Sequence, residues 1–201
     1  MNDMIIILAS ASPRRKELLE LMGFEPVIIP SNADEASDIK DPEALVLELS
    51  KRKCRDVAGS LPEEYSDKTV IVVGADTVVA ADKMILGKPH GEEEARAMLE
   101  NISGRTHQVL TGVSVACVRS GKTTAFESFS EKTDVKVAQL SKEAIDGYIA
   151  TGEPFDKAGA YGIQGCFGKY VEGIDGDYYN VVGLPICSLN KHLEGMKNEM
   201  Q

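Results

Sequence analysis

The sequence is short of positive charge. It has 22 Lys and Arg residues against 32 Asp and Glu residues, which gives a formal net charge of −10 over 201 residues. Nonspecific binding to nucleic acid or to an anionic membrane needs a basic surface. The charge balance therefore argues against both, and we expect neither nucleic acid nor a membrane among the partners.

Cysteine and histidine are also scarce, and neither is clustered. The four cysteines form no C-x-x-C pair, and their spacing indicates neither zinc ligands nor a disulfide framework. We expect four reduced, mostly buried thiols, as is typical of a cytoplasmic protein. The three histidines are scattered, so a Cys–His nucleophile pair has no support in the sequence. The cysteines are Cys54, Cys117, Cys166 and Cys187.

No internal repeat, low-complexity tract or long apolar run is present. The first apolar run, in MNDMIIILAS, follows no basic stretch and is too short for a signal peptide or a membrane span, so it predicts a buried strand. The chain is long enough for one sizeable domain, or for two lobes around a cleft, without a disulfide or a metal. Helical and strand-like patterns mix throughout, and we predict one α/β domain over residues 1–201 with a mixed sheet.

Local patterns predict the main elements, although they place no boundary between lobes. The predicted elements are a helix over 42–58 that begins at Pro42, a strand-like run over 70–89 with a turn at Asp82-Lys83, strands over 107–118 and 123–139, short strands within 152–185, and a terminal helix over 184–196.

One segment, ACVRSGKT at 116–123, nearly matches a phosphate loop. It lacks the first glycine and precedes a strand-like run, so a hairpin turn with an exposed Lys122 is the better interpretation.

The stretch LASASPRRKELLELMGF, residues 8–24, has an unusual charge pattern. Ser12 and Pro13 predict the start of a helix that Gly23 can close. Arg14 and Arg15 then fall in the first turn, where the helix dipole disfavours cations, and two unpaired arginines there cost roughly 0.3–1 kcal/mol each. A bound polyanion reverses that cost, since serines and free N–H groups at a helix start bind anions. A surface turn with solvated arginines is the alternative.

A second candidate is Asp76, which lies inside the apolar run VIVVGADTVVAAD. A buried carboxylate needs a partner such as a metal, an arginine or a network of donors. Gly74 allows close backbone approach beside it. A strand-end aspartate that caps a turn is the alternative.

The loop SNADEASD offers three further carboxylates, Asp34, Glu35 and Asp38. Such a loop is usually only solvated. A magnesium site for a nucleotide, however, needs only one or two carboxylates besides phosphates and water, so Asp76 with Glu35 would suffice.

Basic and amide side chains recur elsewhere in the chain. Lys53 lies on the predicted helix 42–58, where one of four neighbouring cations can turn inward, and Lys88 follows in LGKP. Each is a surface lysine if taken alone. The glycine-rich loop 153–165 carries Gln164, whose amide can pair with the edge of a base. The other cations of that helix are Lys51, Arg52 and Arg55, and the loop also carries Asp156 and Lys157.

Taken together, these segments resemble the Maf family of nucleoside triphosphate pyrophosphatases. The resemblance covers nearly the whole chain, and the ordered set of motifs is specific where any single one is weak. It implies a mixed sheet with flanking helices and a deep cleft, similar to the fold of the inosine triphosphate pyrophosphatases. The motifs are LASASPRRKELL (8–19), LSKRKC (49–54), GADTVV (74–79), LGKP (86–89), SGRTHQVLTGV (103–113), GEPFDKAGAYGIQG (152–165) and GDYYNVVGLP (176–185).

The resemblance implies an activity and a set of site residues. Cleavage between the α and β phosphates would give a nucleoside monophosphate and pyrophosphate, with Mg²⁺ or Mn²⁺ as cofactor and, in many members, a homodimer. Asp76 matches the family's general base. Arg14, Thr77 and Gln164 match the specificity positions of the branch that acts on dTTP and UTP. The residues that match the phosphate and metal site are Ser10, Arg14, Arg15, Glu35, Lys53 and Lys88.

Two other functions stay open at this point. One is a house-cleaning pyrophosphatase for modified nucleotides, and the other is a nucleotide-binding regulator of cell division or septum formation. The sequence also leaves open which of Asp76 and Glu35 takes a proton and which holds the metal.

Overall fold

The computed structural model describes residues 4–82 and 84–199, with side chains as far as residue 196. Helices flank one mixed sheet whose strand order is β2-β1-β3-β5-β6-β7, with β4 paired to β3. β1 is parallel to β2 and β3, whereas β4 is antiparallel to β3 and β7 to β6. The strands are β1 (Met4–Leu8), β2 (Val27–Ile28), β3 (Thr69–Ala81), β4 (Met84–Leu86), β5 (Thr106–Arg119), β6 (Lys122–Val137) and β7 (Val171–Asp175).

Several helices begin and end where local signals predict. The helix over 42–58 is confirmed, since Pro42 opens it and the Asp41 carboxylate accepts a hydrogen bond from Ala44 N at 2.8 Å. Gly23 closes the first helix, because its N–H donates to Glu20 O at 2.9 Å. The helices are α1 (Pro13–Leu21), α2 (Pro42–Ala58), α3 (Glu92–Ile102), α4 (Lys142–Ile149), α5 (Tyr178–Val182) and α6 (Ile186–Glu199).

The segment that nearly matches a phosphate loop forms the hairpin between β5 and β6. Ser120 and Gly121 both have positive φ, at 49° and 68°, as a type I′ hairpin turn requires. Lys122 follows as an exposed first residue of β6. The predicted hairpin is therefore confirmed. Of the other predicted turn, Asp82 is described, with a φ of 49°, and Lys83 lies outside the described residues.

The prediction of several short strands within 152–185 was wrong. The segment holds one strand, β7, together with α5 and three short 3₁₀ turns. Its residues do not alternate between polar and apolar, and left-handed backbone at Gly152 and Gly159 turns the chain before a strand can extend. The 3₁₀ turns are Glu153–Asp156, Ala158–Ala160 and Cys166–Tyr170.

The chain divides into two compact units. β3, β5 and β6 contribute residues to both, so no single cut in the sequence separates the units, which is why local patterns place no boundary. Unit 1 is Met1–Asp76, Thr111–Glu131 and Gly183–Gln201, and unit 2 is Thr77–Leu110 and Lys132–Val182.

Each unit has its own apolar core. In unit 1, Cys54 and Val57 of α2 pack with Ile7 of β1 and Val72 of β3. In unit 2, Phe167 is fully buried and its ring lies against three tyrosine rings, with centroid distances of 4.8–5.5 Å. Those tyrosines are Tyr148, Tyr161 and Tyr170.

The cysteines are free, but the expectation that most are buried holds for only half of them. Cys54 and Cys117 are buried. Cys166, which follows a turn, and Cys187, which lies on the outer side of α6, are exposed. Burial raises the pKa of the Cys54 thiol to about 12, so that thiol is unreactive. Within residues 4–82 and 84–199, no helix is both long enough and apolar enough to span a bilayer.

Candidate functional site

The close packing of β3 against α2 positions the side chains of the site in unit 1. A Cβ at Gly74 would lie 2.7 Å from Cys54 N and from Ser50 O, so no side chain fits there. Side chains two residues apart point to the same face of a strand. Asp76 therefore faces α2 as Gly74 does, and the predicted role of Gly74 in close approach is confirmed.

β5 also packs tightly against the same helix. A Cβ at Gly112 would collide with the Val46 carbonyl oxygen. Ser50 Oγ lies 2.9 Å from Ser114 Oγ and also donates to Leu47 O at 2.9 Å. These contacts hold α2 in one position against the sheet, because a shift of either element would create a clash or leave a buried hydroxyl unpaired.

Lys53 joins the two predicted metal carboxylates. Its Nζ lies 2.5 Å from Asp76 Oδ1 and 3.0 Å from Glu35 Oε1. The Lys53 and Asp76 side chains are each only 12% exposed, whereas that of Glu35 is 63% exposed. Asp76 lies inside β3, so the alternative of a turn-capping aspartate was wrong, and Lys53 provides the partner that its buried charge requires.

The hydrogen bonds at the start of α1 differ from those expected, because the sequence predicts two unpaired arginines there. Ser12 is the N-cap residue but its side chain makes no capping hydrogen bond. Arg15 Nη1 instead donates to Ser10 Oγ at 3.1 Å, and Arg15 Nε donates to Gly183 O at 2.9 Å. The description of the two arginines as unpaired was therefore wrong, because Arg15 has two acceptors and Arg14 also has an interaction within the protein.

Arg15 is also electrostatically linked to the carboxylates of this cluster. Burial lowers the pKa of Arg15, and so does the neighbouring Arg14, whereas the charges of Asp76 and Glu35 raise it without full compensation. The guanidinium remains charged at any ordinary pH. Arg15 is half-buried, and a cation whose charge is disfavoured by its surroundings favours an added anion.

Two residues of α2 hold the acidic loop, and sequence analysis missed both. Arg52 Nη1 donates to Ala36 O at 2.9 Å and to Asp34 O at 3.2 Å, on either side of Glu35. Arg52 Nε donates to Glu48 Oε1 at 2.9 Å, which orients the guanidinium. In the sequence alone, Arg52 is only one of the basic neighbours of Lys53.

Asp56 holds the beginning of the same loop. Its Oδ2 accepts hydrogen bonds from Ser31 Oγ at 2.7 Å and from Asn32 N at 2.8 Å, and these bonds lower the pKa of the Asp56 carboxyl. Arg52 and Asp56 are four residues apart on one helix face, beside Lys53. That spacing is the sequence signal that could have indicated a shared face. Of the three acidic residues of the loop, Glu35 is the one that the structure places against Lys53.

The two carboxylates fit a divalent cation that takes its other ligands from phosphate or water oxygens. Among the described residues, no group of three or more His, Cys, Asp and Glu side chains is placed to hold a metal ion. Asp76 and Glu35, however, converge on the same Lys53 ammonium. Mg²⁺ commonly takes one or two protein carboxylates and completes its shell with phosphate and water oxygens.

The remaining predicted site residues belong to unit 2. Thr77 is half-buried in β3, Lys88 is exposed after β4, and Gln164 is exposed in a turn before the last 3₁₀ segment. Lys157 donates to Glu153 O at 2.8 Å and to Asp156 Oδ1 at 2.6 Å, so it holds its own loop together.

His107 is not a candidate base. Its Nε2 lies 2.7 Å from Tyr161 Oη, and the ring is 2% exposed. Burial lowers the pKa of His107 to about 4, although Asp134 acts in the opposite direction. The imidazole is therefore neutral at pH 7 and serves the packing of unit 2.

Known proteins resemble this chain over nearly its whole length. A family model described as Maf-like protein matches residues 5–196. A dTTP/UTP pyrophosphatase of Agathobacter rectalis is 49% identical over 195 residues, which cover 94% of this chain and 95% of the relative. One of the same name from Geobacillus is 50% identical over 182 residues, which cover 90% and 92%.

Among solved structures, a nucleoside-triphosphatase / dITP/XTP pyrophosphatase of Mycobacterium abscessus has a TM-score of 0.40 and 14% identity, and the match covers 68% of this chain and 76% of that one. The likeness of the fold to the inosine triphosphate pyrophosphatases stays a prediction.

Proposed function

We propose that this chain, which belongs to the Maf family, hydrolyses dTTP and UTP to the nucleoside monophosphate and pyrophosphate. Relatives that are named dTTP/UTP pyrophosphatase and share about half of its residues support the substrate. The observation that carries the proposal is the cluster in unit 1, where Lys53 contacts Asp76 and Glu35 beside the arginines of α1. Phosphoryl chemistry needs this combination of carboxylates and cations.

Asp76 is the proposed general base. Its carboxylate is mostly buried, and its contact with Lys53 fixes the side chain. A base that is held in place can take the proton of an attacking water without first reorganising. Asp76 and Glu35 would together hold Mg²⁺ or Mn²⁺, and such an ion, when bound, neutralises phosphate charge and lowers the pKa of a bound water.

The cations of unit 1 stabilise the charge of the triphosphate. Arg15 is fixed by Ser10 and by the Gly183 carbonyl oxygen, so its planar guanidinium is already oriented before a phosphate binds, and the entropic cost of binding is small. Arg14 and Lys53 add positive charge in the same unit. Lys88 is a further proposed phosphate ligand, on the basis of its motif LGKP.

Base selection is proposed for Thr77 and Gln164, with Arg14, as in the branch of the family that they match. Uracil and thymine present an acceptor at O4 beside a donor at N3–H. A glutamine amide offers the complementary donor and acceptor, so Gln164 can make a paired contact with that edge. Cytosine presents the inverse pattern, which a fixed amide reads poorly.

Two further properties are part of the proposal. Exposed free thiols at Cys166 and Cys187 suit a reducing compartment, so we place the enzyme in the cytoplasm. We also propose a homodimer, as in many family members. The chemistry described above does not depend on it.

A pyrophosphate-release assay across common and modified nucleoside triphosphates, with Mg²⁺ and with Mn²⁺, tests the proposed function. We expect dTTP and UTP to be preferred and to give equal amounts of monophosphate and pyrophosphate. A preference for modified nucleotides would replace the substrate assignment, and release of orthophosphate would contradict the reaction. Nucleotide binding without turnover, unaffected by Asp76→Asn, would favour a regulator instead.

A further inference from the structure

The turn that carries Gln164 is held at both ends. It runs from Gly162 to Gly165 and is closed by a hydrogen bond from Gly165 N to Gly162 O at 3.2 Å. Gly162 N also donates to Tyr148 Oη at 3.3 Å, and Cys166 N donates to Glu153 Oε2 at 2.9 Å. The Gln164 side chain itself is exposed on this turn.

The two acceptors that hold the turn are bonded to each other. Tyr148 Oη donates to Glu153 Oε1 at 2.9 Å, so one hydrogen-bonded pair, the Tyr148–Glu153 pair, connects both ends of the turn. Tyr148 lies on α4, is 3% exposed and packs its ring against Phe167 at a centroid distance of 5.0 Å. The pair is thus anchored in the core of unit 2.

The chain is shaped around the Glu153 carboxylate. A Cβ at residue 165 would collide with that carboxylate in its present position, so a larger residue there would displace the Glu153 side chain. Lys157 Nζ fixes the other side of the residue by donating to Glu153 O at 2.8 Å. Burial raises the pKa of the Glu153 carboxyl, but hydrogen bonds from Cys166 and Tyr148 more than offset this and the pKa is lowered. The acceptor is therefore ionised at neutral pH.

We propose that Tyr148 and Glu153 are positioning residues for base selection. They fix the backbone of the Gln164 turn, and with it the point from which the amide reaches the base. A contact made of two hydrogen bonds requires both to be aligned, and a displacement of about 1 Å is enough to lose much of the discrimination. The inference rests on the proposed function, in which Gln164 reads uracil or thymine.

The test compares variants that remove single hydrogen bonds. Tyr148→Phe deletes the hydroxyl that holds Gly162 N but keeps the ring in the core, and Glu153→Gln places an amide against the donors of Tyr148 and Cys166. Tyr161→Phe is the matched control, because it removes a buried hydroxyl of the same loop that contacts His107 and not the turn. Melting temperatures report whether each variant is folded.

The first readout is the ratio of kcat/KM for UTP to that for CTP. We expect Tyr148→Phe and Glu153→Gln each to lower the ratio about 2- to 10-fold, the worth of one net hydrogen bond, through a higher KM for UTP at nearly constant kcat. Tyr161→Phe should leave the ratio unchanged. In a Gln164→Ala background, Tyr148→Phe should have no further effect, since it acts through Gln164.

A second readout separates this inference from the proposed function. Affinities for nonhydrolysable UTP and CTP analogues measure base discrimination without turnover. If the wild type binds UTP better than CTP and the two variants reduce the difference, the inference stands even if no pyrophosphate is released. A wild type that does not discriminate in binding would overturn it. So would a ratio that is unmoved in both folded variants, or one that falls equally in Tyr161→Phe.

Discussion

Two carboxylates, one in each unit, are stabilised in opposite ways. In unit 1, Asp76 is paired with a full positive charge, since Lys53 Nζ lies 2.5 Å away and Arg15 adds a longer-range attraction. In unit 2, Glu153 accepts hydrogen bonds from neutral groups, the Tyr148 hydroxyl and the Cys166 amide, each at 2.9 Å. The carboxylate is thus held mainly by a direct ion pair in unit 1 and mainly by hydrogen bonds from neutral groups in unit 2, where Lys157 adds a weaker charge interaction.

The difference matches what the surroundings of each carboxylate are proposed to bind. A triphosphate is highly charged, and a cluster of full charges held in place suits it, because cations such as Lys53 can stabilise phosphate oxygens without first reorganising. A base is neutral, and its recognition depends on hydrogen bonds of fixed direction, which neutral donors around a rigid turn supply. The Lys53–Asp76 cluster should therefore set the rate for every nucleotide, and the Gln164 turn should set the choice among bases.

Asp76→Asn is the sharpest test on the side of unit 1. The change keeps the shape of the side chain but removes its charge and its capacity to accept a proton. We expect kcat to fall by roughly 10²-fold or more, to a similar extent for UTP and CTP. Asp38→Asn, at an exposed acid of the Glu35 loop, is the matched control. Unchanged turnover in a folded Asp76→Asn protein would remove this residue from the mechanism.

Gln164→Glu is the corresponding test on the side of unit 2. A carboxylate opposes O4 of uracil and cannot donate to it, whereas it can accept from N4 of cytosine. The ratio of kcat/KM for UTP to that for CTP should fall about 5- to 150-fold, the usual range for one bidentate base contact. A ratio that stays constant would place Gln164 away from the base edge. It would contradict the proposal that the Gln164 turn selects the base.

Arg52→Ala tests how the Glu35 loop is held. Without the guanidinium, the carbonyl groups on either side of Glu35 lose their common donor, and the carboxylate is no longer presented to Lys53. We expect Mn²⁺ to bind about 10-fold more weakly in the presence of a nonhydrolysable UTP analogue, by electron paramagnetic resonance of free Mn²⁺. Lys51→Ala removes the same charge from the same helix, and an equal loss in that control would contradict a specific role for Arg52.

Arg15→Met should have the smallest effect on the empty protein. The guanidinium is half-buried, and the cost of its partial desolvation opposes the hydrogen bonds to Ser10 and to the Gly183 carbonyl oxygen. We therefore expect the free energy of unfolding of the apo protein to change by about 1 kcal/mol or less. The rise in melting temperature on adding a nonhydrolysable UTP analogue with Mg²⁺ should, in contrast, shrink. A large loss of apo stability would show that Arg15 serves the fold rather than the anion.

Features that depend on neighbouring residues in the chain could be predicted from the sequence. The bounds of α2 follow from Pro42 and Asp41, and the β5–β6 hairpin follows from its Ser-Gly turn. The need of Asp76 for a partner was also evident, because a carboxylate inside an apolar run implies one.

Features that depend on distant residues were out of reach. Lys53 was one of four neighbouring cations, and only the close approach of β3 at Gly74 selects it as the partner of Asp76. Arg15 finds an acceptor at Gly183, far along the chain. Arg52 acts on backbone carbonyl groups, and these carry no signature in the side-chain sequence.

A ³¹P nuclear magnetic resonance time course of UTP with Mg²⁺, run with the wild type and with Asp76→Asn, tests the central claim most directly. The account predicts that the wild type forms uridine monophosphate and pyrophosphate in equal amounts, and that the variant forms both at least about 10²-fold more slowly. Formation of uridine diphosphate and orthophosphate, or equal rates in the two proteins, would contradict it.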